Sequence, residues 1–344
     1  MPPSPTPLTP TLGRLSAGEN LSQEAMREAI QFVMSGQASE EEIGLLLTAL
    51  AEKGETVDEV AGAAEALRAN MTNIRTSRTG LVDTCGTGGG GSQTFNISTT
   101  AALVAAAAGA SVAKHGNRSV TSRTGSADVL AELGVNIEAT PAQVEACLDE
   151  LGLCFCFAPL MHPAMKHVGA VRKKLGIRTI FNVLGPLANP AGAEHQLLGA
   201  GLPELRPLLA GAIAKLGTSR TLVVSGEDGI GDVTITGVTH VSDVTADGVK
   251  EYQWTPGDFG LEPSGSAGLV VESPAHSAAV VRKILKGTPG PARDIVVLNA
   301  AAALIVCGRA EGPREGAKQA AEAIESGAAA ELLAKLAERS HAPA

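Results

Sequence analysis

The chain has 344 residues, 44% of them hydrophobic and only 2% aromatic, enough to fill one large and one smaller core with Ala, Leu and Val packed between helices and sheet. A net charge of -9 and the lack of any long basic run exclude a nonspecific nucleic-acid or membrane binder, so an anionic ligand must be held by a local cationic site. Five cysteines, Cys85, Cys147, Cys154, Cys156 and Cys307, sit among apolar neighbours as reduced thiols of a cytoplasmic protein do, and the pair Cys154 and Cys156 has no second cluster with which to hold zinc.

The first ten residues carry five prolines and no apolar segment like that of a signal peptide, which predicts a disordered tail over residues 1–15. Ala101 to Ala110, the longest apolar stretch, is half the ~20 residues a membrane span needs. From Leu21 to Asn70 apolar residues recur at intervals of three and four, as in Met26, Ala29, Ile30, Val33 and Met34, then Ile43, Leu46, Leu47 and Leu50. Three short helices follow from this, with Gly36 and Gly54 as stops and the capping boxes Ser39 to Glu42 and Thr56 to Glu59 as starts.

At Leu81 the pattern changes to Leu81–Cys85, Ser98–Ala108, Ala110–Lys114 and Ala127–Leu133, alternately strand and helix. That order predicts an α/β domain with parallel strands and crossover helices. Residues 141–190 read as helices and loops, and Thr221–Ser225, Val233–Thr236 and Leu269–Glu272 as further strands. Helices over Ala279–Leu285, Asp294–Cys307 and Glu315–Glu338 close the chain.

Gly86-Thr87-Gly88-Gly89-Gly90-Gly91 lies between the first strand and the Ser98 helix, so backbone N–H groups and a helix N-terminus can converge on an anion that side chains would block. The loop satisfies G-x-G-x-x-G, yet no Asp or Glu occurs between Asp83 and Asp128 to hold a ribose hydroxyl, and no Gly-Lys-Ser/Thr ending marks a nucleoside triphosphate loop. A merely flexible turn would not explain Asn96, Ser98 and Thr99 at the helix entrance; phosphate binding does.

Lys114-His115-Gly116-Asn117-Arg118 follows the second strand and, in a parallel sheet, falls at the same edge as the glycine loop. Thr121, Ser122, Gly125 and Ser126 form another hydroxyl-rich turn suited to a second phosphate. His115 reads equally as a ligand contact, a weak base or a histidine bonded to backbone. Farther on, Arg172 has the planar guanidinium that grips a carboxylate in bidentate fashion, whereas Lys166, Lys173 and Lys174 read as solvent-facing charges.

Three motifs together, GTGG-x-G-x-x-T-F-N-I-S-T, KHGNR-x-x-x-S-x-x-GSAD and HPAMK followed by VR-x-x-LG-x-RT-x-FN-x-LGPL-x-NP, resemble those of the anthranilate phosphoribosyltransferases, over residues 20–335. The resemblance implies a small helical domain (residues 16–77, with part of 165–195 packed on it) hinged to a large α/β domain with a mainly parallel central sheet (residues 78–344), and a homodimer formed through the helical domains. It implies transfer of the phosphoribosyl group of phosphoribosyl pyrophosphate (PRPP) to anthranilate, in tryptophan biosynthesis. PRPP would meet Gly86, Gly89 and Gly90 in the first loop, then Thr94 and the helix start Asn96, Ile97, Ser98 and Thr99. On the second loop it would meet Lys114, His115, Gly116, Asn117, Arg118, Ser119, Val120, Thr121 and Ser122, with Ser126 beyond. Anthranilate would lie near Gly86, His115 and Asn117, its carboxylate approached by Arg172. No side chain stands out as a covalent nucleophile.

Two positions depart from the family pattern. Gly90 stands where the family usually has Asp, and Gly231-Asp232 where it has an adjacent Asp-Glu pair for magnesium. Asp232 with Ser98 is the expected holder of Mg2+, an ion that commonly uses one or two carboxylates plus waters and substrate phosphates. Two rival readings remain: a pyrimidine nucleoside phosphorylase with a related KHG loop, and a non-catalytic paralogue that binds PRPP or nucleic acid.

Overall fold

Four helices precede any strand: α1 (Leu8–Ser16), α2 (Gln23–Met34), α3 (Glu40–Lys53) and α4 (Val57–Ala69), in a computed structural model that describes residues 6–88, 93–119 and 122–343. The three expected helices are present, and both capping boxes form, Ser39 with Glu42 and Thr56 with Glu59. Gly36 and Gly54 follow α2 and α3 with φ of +76° and +85°, where L side chains are strained.

α1 corrects the expected disordered tail, which is helical from Leu8 onward. Leu8 and Leu15 are buried and Leu12 packs beside them, a stripe at helical spacing. Pro10 does not prevent this because it lies in the first turn, where a missing N–H costs nothing.

The α/β part begins with β1 (Leu81–Gly86), α5 (Ile97–Ala107), β2 (Ser111–Gly116), α6 (Ser126–Glu132), α7 (Pro141–Leu151) and β3 (Leu153–Phe157). The chain then leaves the sheet through α8 (Ala158–Met161), α9 (Lys166–Leu175) and α10 (Phe181–Leu184). It returns with β4 (His195–Gly199), α11 (Leu205–Leu216), β5 (Arg220–Gly226), β6 (Thr239–Thr245) and β7 (Gly248–Trp254). Last come α12 (Pro274–Leu285), α13 (Pro291–Val306), α14 (Pro313–Glu325) and α15 (Ala328–His341). The break between α14 and α15 at Gly327, with φ +80°, divides what reads as one helix in the sequence.

The strands form one seven-stranded sheet in the order β3-β2-β1-β4-β5-β6-β7. Pairing is parallel from β3 to β5 and antiparallel at β6 and β7. β3, β4, β6 and β7 escape the sequence reading, β3 because Leu153–Phe157 is buried at every residue and so has no period. The expected strand Val233–Thr236 is irregular: Asn299 Oδ1 takes the Val233 N–H and Thr239 Oγ1 that of Thr234, each at 2.9 Å. Leu269–Glu272 makes a single bridge, Val270 to Thr94, in place of the expected strand.

Two cores lie on either side of the sheet. One joins α5, α13 and the last helices to β1, β2 and β3, and α13 is buried over nearly its whole length. The other is the core of α1 to α4, and it includes Val168 and Val171 of α9, Phe181 and Leu184 of α10, Leu209 and Ile213 of α11, and the sheet residues Leu198 and Val223. α4 and α11 approach closely enough that a Cβ on Gly211 would lie 2.8 Å from Val57 Cγ2.

Candidate active site

The chain runs leftward from β1 to β3 and rightward from β4 to β6, so β1 and β4 flank the point where the winding reverses, the crevice that binds ligands in open α/β sheets. Gly86 ends β1 beside Gly199, which ends β4. Thr87 N–H donates to Gly199 O at 2.9 Å, and Thr87 Oγ1 accepts from Gly201 N at 3.0 Å. Gly88 has φ +63°, a conformation glycine adopts freely. Gly89 and Gly90 lie outside the described residues, as do Val120 and Thr121 of the second loop.

Helix α5 points its N-terminus into this crevice, and Asn96, its cap residue, makes no side-chain cap, which leaves first-turn N–H groups around Ser98 and Thr99 to an incoming anion. Asn96 is instead a tie: its Oδ1 accepts from Thr124 Oγ1 at 2.9 Å and from Ser277 Oγ at 2.8 Å. It thereby joins the start of α5 to the second loop and to α12. Thr94 is held by its bridge to Val270. The Thr99 hydroxyl is buried with no partner among the described residues.

The second loop is braced by Asp128, whose Oδ2 accepts from Ser119 N and Gly125 N, each at 2.9 Å, while its Oδ1 pairs with Arg118 at 3.1 Å. Ser126 Oγ accepts from Asn117 N at 3.1 Å, and Ser119 and Ser122 share a hydroxyl contact of 2.8 Å. Any Cβ on Gly116 would fall 2.1 Å from Ser126 Oγ, so glycine is required where β2 runs into this turn.

Lys114 is the buried cation of the site, its Nζ donating to Thr84 O. Burial pushes its ammonium below the ordinary value, and Asp83 and Asp232 pull the other way. Asp83, which the sequence motifs do not single out, is fully buried in β1; it accepts from His115 N at 3.1 Å and from Asn189 Nδ2 at 2.8 Å. Its only signal was a charge inside an apolar strand.

Asp232 is the free carboxyl. It accepts no hydrogen bond among the described residues, and burial, with Asp228 adding and Lys114 opposing, pushes it up to about 7. Asp228, by contrast, is engaged by Thr234 Oγ1 at 2.6 Å and Thr236 Oγ1 at 2.7 Å. No group of three or more His, Cys, Asp or Glu is placed to hold a metal among the described residues. The single carboxyl of Asp232, short of compensating charge, suits an ion that takes its other ligands from water and substrate.

His115 is bonded to backbone, the third of the roles left open above: Nδ1 lies 3.1 Å from Gly185 O. Its other ring nitrogen lies 3.2 Å from His162 Nε2. Burial lowers it to about 3, with His162 and Lys114 adding to the effect, so it is neutral near pH 7 and has no free nitrogen with which to act as a base. Arg172 lies in the last turn of α9 and reaches toward Asn182 Oδ1 at 3.5 Å, with its guanidinium 5.6 Å from the centre of the Phe181 ring. No carboxylate pairs with it among the described residues. Asn182 stands three residues before Gly185, so one segment meets both Arg172 and His115. Of the lysines, Lys174 pairs with Glu40 on the exposed surface.

The helical bundle domain of a glycosyl transferase family matches residues 9–71, and the a/b domain of the same family matches residues 78–330. The anthranilate phosphoribosyltransferase of Rhodopirellula baltica is 50% identical over 93% of this chain and 94% of its own length. That of Anaeromyxobacter dehalogenans is 48% identical over 97% and 98%. Among solved structures, the Thermus thermophilus anthranilate phosphoribosyltransferase superposes with a TM-score of 0.91 at 42% identity, covering 96% of this chain and 99% of that one. The Saccharomyces cerevisiae enzyme in complex with PRPP and Mg superposes with a TM-score of 0.90 at 29% identity, covering 98% of each chain.

Proposed function

The chain belongs to the anthranilate phosphoribosyltransferase family, and on that premise we propose how its residues carry out the transfer of the 5-phosphoribosyl group of PRPP to the nitrogen of anthranilate, giving N-(5-phosphoribosyl)anthranilate and pyrophosphate in tryptophan biosynthesis. What carries the reading is the linkage of two cationic features through residues 182–185, which meet Arg172 at Asn182 and His115, the neighbour of Lys114, at Gly185. Buried Lys114 and the uncapped start of α5 form an anion cradle, and Arg172, which pairs with no carboxylate among the described residues, stands on the segment that packs with the helical unit. A polyanion and an aromatic carboxylate are the ligands that match these two sides. A phosphorolysis of pyrimidine nucleosides finds no support in the relatives.

The amine of anthranilate is a poor nucleophile because its lone pair conjugates with the ring, so the work lies in making the ribosyl carbon electrophilic. Lys114 and the α5 N–H groups stabilise negative charge as it builds on the departing pyrophosphate. Arg172 holds the carboxylate and so aims the amine. His115, with both ring nitrogens engaged, offers its carbon edge and face to an aromatic ring and takes no proton. Mg2+ bound through Asp232 and Ser98 would add positive charge at the phosphate oxygens. Closure of the helical unit over the crevice would exclude the water that competes for the ribosyl centre.

The protein acts as a homodimer joined through the helical units, where α3 leaves Leu45 53% exposed. Its cytoplasmic placement is supported by the five free cysteines, four of them buried. Anthranilate fluorescence, followed with PRPP and Mg2+ present, tests the reading. Loss of signal that requires PRPP supports it, and a constant signal at every Mg2+ concentration overturns it.

A further inference from the structure

The chain crosses between the α/β part and the helical unit at three places, and they are fastened to one another. Thr72 N donates to Met161 O at 2.7 Å, and Ile74 N to Pro190 O at 3.0 Å. His162 follows directly on Met161 at the outgoing crossing, and Gly185 stands on the returning one. His115, in β2, is bonded to both: Nδ1 meets Gly185 O at 3.1 Å, and Nε2 meets His162 Nε2 at 3.2 Å, with the two rings 5.0 Å apart. Both histidines are buried.

Hydrogen bonding fixes the protons on these rings. A carbonyl only accepts, so His115 Nδ1 carries the hydrogen, and in a neutral ring Nε2 is then a bare lone pair. The contact between the two Nε2 atoms is attractive only if His162 Nε2 is the donor. His162 Nδ1 must then be the bare nitrogen; the Ala188 carbonyl favours a proton on this ring, but Nδ1 is buried and makes no hydrogen bond of ordinary geometry among the described residues. A buried lone pair left empty is tolerated more readily than a buried N–H left without an acceptor. The opposite arrangement would set His115 Nδ1 and Gly185 O against each other, acceptor to acceptor. Burial holds both rings neutral, His162 at about 4 and His115 at about 3.

We propose that His162 is a positioning residue for the anthranilate side of the site: its Nε2–H bond locks His115 in the Nδ1–H tautomer and, through Gly185, sets the segment that meets Arg172 against β2. The substrate part of this rests on the function proposed above; the tautomer part does not.

Two variants of the full chain test it, His162→Phe, which removes the donor, and His162→Gln, whose amide places an N–H near the same point. Ring-nitrogen NMR of the 15N-histidine-labelled protein should find His115 with Nδ1 protonated and Nε2 bare in the wild type and in His162→Gln, and a mixture of tautomers in His162→Phe. The KM for anthranilate should rise roughly three- to tenfold in His162→Phe, the worth of one hydrogen bond, while the KM for PRPP holds and His162→Gln stays within about twofold of wild type. An Nε2-protonated His115 in the wild type overturns the proposal, as does His162→Gln behaving like a correctly folded His162→Phe, or equal rises in both KM values. Failure of the wild type to consume anthranilate would sink the function instead, with the nitrogen spectra still deciding the tautomer.

Discussion

Gly199 and Gly231 meet so closely that a Cβ at position 199 would lie 1.7 Å from the Gly231 carbonyl oxygen. This contact stands at the end of β4, beside Gly86, and leaves no room for a side chain at position 199. Gly231 is itself tight, with Gly201 Cα and N 3.0 Å from where its own Cβ would be. Gly199→Ala should destabilise the fold by about 3 kcal/mol or more, the cost of overpacking against backbone that cannot move aside. Urea titration checks this, and an unchanged midpoint would show that the loop gives way. Gly231→Asp would push the same loop and so would not simply restore an acidic pair.

Arg172→Ala should raise the KM for anthranilate on the order of tenfold or more, as expected for loss of a charged hydrogen bond, and leave the KM for PRPP nearly unchanged. Arg172→Lys should recover little, because a point charge lacks the planar fork that matches a carboxylate. Equal effects on the two substrates would remove Arg172 from this role.

Asp232→Asn should raise the Mg2+ concentration for half-maximal rate on the order of tenfold, since it deletes the carboxyl proposed to hold the ion. The wild-type carboxyl is pushed up to about 7, so a proton competes with the metal below that pH. The Mg2+ requirement should therefore fall as pH rises from about 6 to 8, and become flat in Asp232→Asn. A requirement that ignores both pH and the substitution would place the ion elsewhere.

Leu8→Ala should destabilise the helical unit by roughly 2–4 kcal/mol, because it empties a fully buried site. Thermal unfolding of the variant is the measurement. A melting temperature equal to wild type would mean that α1 does not dock in solution.

Acid stability follows from the two histidines. Both are held below the ordinary value of 6.5, at about 3 and about 4, so between those values and 6.5 the unfolded chain binds more protons than the folded one. Stability is then fully present above about 6.5 and is lost progressively as pH falls toward 3. His162→Gln should move the acid-unfolding midpoint to lower pH, and an upward shift would contradict a neutral pair.

Local sequence alone determined α2 to α4 and the β1 to β2 alternation, and it marked out the glycine loop, the Lys114 loop and Arg172 as candidates for the site. Those features are written in period, caps and glycine placement, which act over a few residues. Partners far apart in the chain required the tertiary structure. The uniform apolar run of β3 carries no period, and Val233–Thr236 loses its strand to side chains of Asn299 and Thr239. Prolines near the start concealed α1, whose Leu8, Leu12 and Leu15 matter only once a core exists to receive them. His115 illustrates the division most clearly. Its candidacy as a site residue was legible beside Lys114, but its bonding to the Gly185 carbonyl and to His162, 70 and 47 residues away, was visible only in the folded chain, because a tautomer is fixed by whatever stands at each ring nitrogen.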